Sequence, residues 1–247
     1  MEFKGIDVSK HNGRIDWEKV KKSGVEFAIL RAGFGRENPR QVDVQFERNY
    51  SECRMLGIPV GAYHYSYAKN PDGAQKELDF FLKLIDGKQF DYPLCFDIED
   101  ESLNGISEKV LTDNVLTFCK GLEERGYYAA VYCNMDWLKN RLEHDRLKDI
   151  DLWLAYWSNA RSENIKVGMW QYSEKGQIDG ISGDVDLDIA YKNYPEIIRS
   201  KGMNNFGKNH KYVVAAEKSG MDLAEAEALS SRLRDLNMSV SKREDRQ

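Results

Sequence analysis

The chain has 247 residues, 41% of them hydrophobic, with a formal net charge of -5. That make-up belongs to one globular domain, or a domain plus a small appendage, and excludes a fibrous or disordered chain. The mild acidity argues against a nucleic-acid binder, and no apolar run approaches the ~18 residues of a membrane span.

The first residues, Met1-Glu-Phe-Lys-Gly-Ile-Asp7, hold no apolar leader segment and pass directly into a strand pattern. Eight short apolar runs read as strands, over residues 4–8, 27–32, 59–67, 94–99, 128–133, 152–157, 167–172 and 185–189. Several are almost continuously apolar, as expected of parallel strands covered by helices. Segments with helical spacing separate the first five: residues 16–22, 45–56, 72–85, 107–125 and 136–147. The second carries Phe46, Tyr50, Cys53 and Leu56 on one stripe, and the fourth has Ser107 as its N-cap and Gly126 just beyond its end. After Leu152 the connections become too short for full helices. The alternation implies a parallel sheet, and the fold class is α/β, a shortened TIM-like (β/α)5β3 barrel with a small C-terminal α+β appendage.

Residues 1–200 form the expected barrel, 201–210 a linker, and 211–247 the appendage. Within the last piece, 212–216 and 238–241 read as strands, and 222–236 as a helix with Leu223, Ala226, Leu229, Leu233 and Leu236 on one stripe. Such a short piece buries little core alone, so a wall-binding or self-association role is expected of it. The four cysteines (Cys53, Cys95, Cys119 and Cys133) stand singly, without metal-ligand spacing, and read as reduced core thiols.

The acids are the chemical signal. Cys95, Asp97 and Glu99 alternate along the fourth strand and share one face. Ionised carboxylates are costly to desolvate, so two at the end of a core strand mark a site. Asp7 ends the first strand, and Asp184, Asp186 and Asp188 alternate along the eighth. In barrels of this kind the active site lies at the C-terminal ends of the strands, which gathers acids from three strands at one mouth. Clustered carboxylates split their pKa values, so one holds a proton near neutral pH, as glycoside hydrolysis requires. Glu99, the longer side chain nearest the mouth, is the natural acid. Tyr63, Tyr65 and Tyr67 on the third strand, Trp153, Tyr156 and Trp157 on the sixth, and Trp170 and Tyr172 on the seventh offer flat faces for sugar rings. A metal centre drawn from Asp7, His11, His64, Asp97, Glu99 and Asp186 is the chemical rival, but none of the four histidines has paired helical spacing. No cofactor or metal is therefore expected, and His64 reads as an internal hydrogen-bonding residue.

These residues resemble glycoside hydrolase family 25, the Chalaropsis-type muramidases. The resemblance runs through Gly5-Ile-Asp-Val-Ser9, Asn12-Gly13, Ile15-Asp-Trp17, Phe27-Ala-Ile-Leu-Arg-Ala-Gly33, Gly61-Ala-Tyr-His64, Phe96-Asp-Ile-Glu99, Leu152-Trp-Leu-Ala155, Trp170-Gln-Tyr172 and Val185-Asp-Leu-Asp188, in order. It implies a (β/α)5β3 barrel that hydrolyses the β-1,4 bond between N-acetylmuramic acid and N-acetylglucosamine in peptidoglycan. By position, Glu99 matches the general acid. Asp97 matches the acid that stabilises a participating acetamido group or acts as nucleophile or base. Asp7 and Asp186 match two further cleft carboxylates, while Asp188 stands where the family often has Asn. Tyr63, Tyr65, Trp157, Gln171 and Tyr172 are the expected substrate-binding residues. Many relatives are bacteriophage endolysins, which implies synthesis in the host cytoplasm without a leader and action on the wall after release. The competing readings are a non-catalytic peptidoglycan-binding protein and a chitinase-like barrel glycosidase.

Overall fold

Eight strands close into a barrel in sequence order: β1 (Phe3–Val8), β2 (Phe27–Phe34), β3 (Val60–Tyr65), β4 (Leu94–Asp97), β5 (Ala129–Asn134), β6 (Asp151–Ala155), β7 (Met169–Gly176) and β8 (Val185–Ala190). The computed structural model describes residues 2–36, 38–157 and 165–207. The chain divides into two units, Met1–Gly207 and Lys208–Gln247. The strands and helix expected at 212–216, 222–236 and 238–241, with residues 208–210 of the expected linker, lie outside the described residues.

Crossover helices follow the first five strands: α1 (Trp17–Lys22), α2 (Phe46–Leu56), α3 (Pro71–Ile85), α4 (Glu108–Glu123) and α5 (Met135–Asn140). Local chemistry sets their ends. Asn70 accepts from Gly73 N at 2.8 Å with Pro71 in the first turn of α3, and Ser107 caps α4 through Val110 N. The last crossover is shorter than its spacing predicts: α5 stops at Asn140, and a separate 3-10 turn covers His144–Leu147. A final helix, α6 (Tyr194–Ser200), follows β8.

Alternation along each strand divides two cores. Outward-facing Ile6, Val8, Leu30, Leu94, Phe96 and Val131 pack against helical Trp17, Phe46, Leu78, Phe81, Val115 and Phe118. Inward-facing Phe27, Ile29, Tyr92, Cys95, Ala130, Trp153 and Met169 fill the barrel. Gly5 leaves room for the Phe27 ring, which a Cβ there would overlap and which stacks on Tyr92 at 4.2 Å. All four cysteines are buried and unpaired, as their spacing predicts.

The sheet is not wholly parallel. β8 runs antiparallel to both β7 and β1. The β7–β8 connection is too short for a crossover and can only reverse the chain. The first residues of β8, not its last, therefore reach the mouth of the barrel. Across the β1–β8 ladder Asp7 pairs with Asp186, and Gly5 with Asp188.

The opposite end of the barrel is sealed by residues expected to begin a linker. Asn204 is fully buried; its Nδ2 donates to the carbonyls of Phe90 (2.9 Å) and Tyr92 (3.0 Å), and its Oδ1 accepts from Tyr128 N at 2.7 Å. Asn204 and Asn205 both take left-handed backbone conformations, with φ of 51° and 69°. Residues 201–207 thus belong to the barrel unit, a correction to the boundary expected at 200. Among the described residues, no helix is long and apolar enough to cross a membrane.

Candidate active site

A cleft of about 440 Å³ opens at the mouth, lined by Asp7 from β1, Arg31 from β2, Tyr63 and Tyr65 from β3, Asp97 and Glu99 at the end of β4, and Asp186 from β8. Tyr132, Trp153, Trp157 and Gln171 complete its floor and one wall. The four acids singled out in the sequence therefore converge. Glu99 lies past the last paired residue of β4, which ends at Asp97, so its longer side chain stands at the opening while Asp97 is seated lower.

Asp97 is buried, and its Oδ1 has no hydrogen-bond donor among the described residues. Burial first, then the Glu99 charge, holds its carboxyl well above the usual range, against the opposing pull of Arg31. Glu99 is partly buried, accepts from Asn134 Nδ2 at 3.4 Å, and is also shifted upward, chiefly by desolvation. Burial and Glu174 push Asp186 up to about 6. Asp7 Oδ2 accepts from Gln171 Nε2 at 2.7 Å, and burial with the acids of β8 raises this carboxyl too. The cleft is a set of carboxyls whose protonated forms are all favoured by burial, with neighbouring acid charges adding to the effect.

The expected sugar-contacting residues divide. Tyr63 and Tyr65 line the cleft, and the Tyr65 hydroxyl donates to Asp100 Oδ2 at 3.0 Å. Trp157 stands at the rim, 56% exposed, with Nε1 directed at Gln171 Oε1 (3.3 Å). The Tyr132 hydroxyl donates to the same oxygen at 3.1 Å, which fixes the Gln171 amide so that its N–H faces Asp7. Tyr172 is a correction. Gln171 points inward, so its neighbours Trp170 and Tyr172 point outward, where their rings contact each other at 5.6 Å, and Tyr172 does not line the cleft. His64 is a core residue: fully buried, donating from Nε2 to the Gly35 carbonyl at 2.8 Å and stacked on Phe118, with burial lowering its pKa to about 3.

Sequence reasoning missed Arg31. Its Nε pairs with buried Asp43 at 2.8 Å, while its Nη2 is buried without an acceptor. The cation inside an otherwise apolar run, Phe27–Phe34, was the available signal. Asp188 was seen but sits deeper than Asp186: it is fully buried beneath the floor, accepting from Trp153 Nε1 at 2.8 Å.

A barrel that gathers carboxyls from three strands in a cleft walled by aromatic rings, with proton-holding and charge-bearing acids side by side, is the build of a glycoside hydrolase. Residues 6–181 match Glycosyl hydrolases family 25, and the chain belongs to that family. It is 32% identical over 188 residues to the autolytic lysozyme of Clostridium acetobutylicum, covering 75% of this chain and 55% of that one. The modular autolysin LytC of Streptococcus pneumoniae, solved with a synthetic peptidoglycan ligand, superposes with a TM-score of 0.68 at 30% identity, over 77% of this chain and 47% of LytC. The CTP1L endolysin superposes with a TM-score of 0.70 at 27% identity, over 94% of this chain and 80% of its own. This chain thus spans about half the length of the autolytic lysozyme and of LytC.

Proposed function

We propose that this chain is a peptidoglycan muramidase that cleaves the β-1,4 bond between N-acetylmuramic acid and N-acetylglucosamine and so lyses bacterial cell wall. The observation that carries the reading is the pairing of Glu99 at the opening with Asp97 below it, whose Oδ1 is a buried acceptor without a donor. Glu99 protonates the leaving glycosidic oxygen. Asp97 accepts the N–H of the substrate's acetamido group and offsets the positive charge that develops as the acetamido oxygen closes on the anomeric carbon. Asp7 and Asp186 shape the field on the opposite wall. Tyr63, Tyr65 and Trp157 present ring faces to the sugars, and Gln171 holds Asp7 in place. The likeness to an autolytic lysozyme, an autolysin and an endolysin supports the wall as the site of action, and the endolysin likeness supports release from an infected host as its setting.

The test is product analysis. Purified walls are digested, the new reducing ends are converted to alditols, and the fragments are separated. Muramitol ends are expected. Glucosaminitol ends would assign a chitinase-like cleavage instead, and no new ends would reduce the chain to a wall-binding protein.

A further inference from the structure

Beneath the cleft floor two carboxyls meet with no N–H between them. Asp188 is fully buried; its Oδ1 accepts from Trp153 Nε1 at 2.8 Å, and its Oδ2 has no donor among the described residues. Asp7 is its diagonal neighbour on the same face of the β1–β8 ladder, where Gly5 pairs with Asp188 and Asp7 with Asp186. The Asp7 Oδ2 is taken by the Gln171 amide at 2.7 Å. Gln171 cannot turn to serve both acids, because Tyr132 and Trp157 donate to its Oε1. The groups facing the pair from the surrounding strands are Asp186 on β8, Cys95 on β4, Tyr63 on β3 and Tyr132 on β5, all acidic or neutral. The cleft's Arg31 is paired with Asp43. Two ionised carboxylates in contact, buried and without a cation, are prohibitively costly.

We propose that Asp188 is a positioning residue that accepts an O–H from Asp7 on its Oδ2, so that Asp7 meets the substrate as a neutral hydrogen-bonding group and the negative charge sits one layer deeper, under Trp153. Every polar atom of the pair is then satisfied: Asp7 Oδ1 carries the proton, Asp7 Oδ2 accepts from Gln171, and Asp188 accepts from Trp153 and Asp7. The upward displacement of Asp7, from burial and then the Asp188 charge, agrees with this arrangement. So does the opposite, lowering effect of the Asp7 contact on Asp188, whose own rise comes from burial and Asp186. The consequence for catalysis rests on the muramidase reading; the shared proton does not.

The test is Asp188→Asn in the full chain. Asn keeps the Trp153 bond through its carbonyl and offers Asp7 an N–H, so shape is preserved while Asp7 becomes the anion. Carbon-13 spectra of aspartate-labelled protein are expected to show a wild-type carboxyl that stays protonated at neutral pH and is absent from the variant. On purified walls, the relocated charge should hold the proton on Glu99 to higher pH, moving the alkaline limb of kcat/KM upward by about half a pH unit or more. Identical carboxyl titrations in the two proteins would overturn the shared proton. A lost carboxyl with an unmoved pH profile would overturn the positioning role. If neither protein cleaves walls, the muramidase reading fails, and the carboxyl titration still decides the proton.

Discussion

Asp97 and Glu99 are one residue apart yet occupy different surroundings, and that difference separates their roles. Asp97 is 4% exposed and Glu99 stands at the opening, so the proton nearest the leaving group is the one on Glu99. Replacing it by Gln is expected to lower kcat by about 10²–10⁴, the usual worth of a general acid, with the circular dichroism spectrum unchanged. A Glu99→Gln protein lysing walls at the wild-type rate would sink the assignment. Because the working form is protonated and its pKa is raised, activity should persist above the ordinary carboxylate range and fall as pH climbs through the raised value. A pH–rate profile whose alkaline limb lies at an unperturbed carboxylate value would contradict this.

At the level of elements, the mouth depends on how the far end is closed. Asp91 binds Arg54 from α2 (2.7 Å) and Arg199 from α6, tying two helices to the barrel floor. The Asn204 turn satisfies two strand-end carbonyls and one amide that neighbouring strands leave unpaired. Asn204→Ala would bury those groups without partners at about 1–3 kcal/mol each if water cannot enter. It would also place Ala in a left-handed conformation (φ 51°). Urea denaturation is expected to show at least ~2 kcal/mol lost at an unchanged m-value; a loss below ~0.5 kcal/mol would mean the turn is peripheral. The same residues set where the chain can be cut. A chain ending after Gly207 should keep the thermal transition of the barrel, whereas one ending after Ser200 should melt earlier. Equal melting of the two truncations would refute the seal.

For the whole molecule, burying so many acids has a thermodynamic cost that depends on pH. Asp7, Asp97, Glu99 and Asp188 are raised, Asp186 reaches about 6, and Glu77 under the β3–α3 loop about 7. The unfolded chain loses these protons first, near pH 4, so between there and the folded values the native state holds more protons and stability falls as pH rises. His64 acts the other way: lowered to about 3, it costs stability as pH drops below its unfolded value of 6.5. Even with Asp7 and Asp188 sharing one proton, the acids outweigh one imidazole. Tm should therefore fall from about pH 5 to about pH 8.5, and a Tm that rises over that interval would contradict the buried-acid account.

Short-range pattern was sufficient for much of this protein. Period-two alternation in the strands and 3.6-residue stripes in the helices specify eight strands and five crossovers, because each residue's face is decided by its nearest neighbours in the chain. The acids Asp7, Asp97, Glu99 and Asp186 were legible for the same reason: a charge inside an apolar run is conspicuous without knowing what it faces. Other features were decided only by residues far apart in sequence. The reversal of β8 brings Asp186 to the mouth and places Asp188 beneath it. The phase of β7 turns Gln171 inward and Tyr172 out. Arg31 meets Asp43 across 12 positions of chain, and the Asn204 turn docks on strand ends more than 70 residues away. Burial and pairing depend on what closes around a side chain, and that exists only once the barrel does.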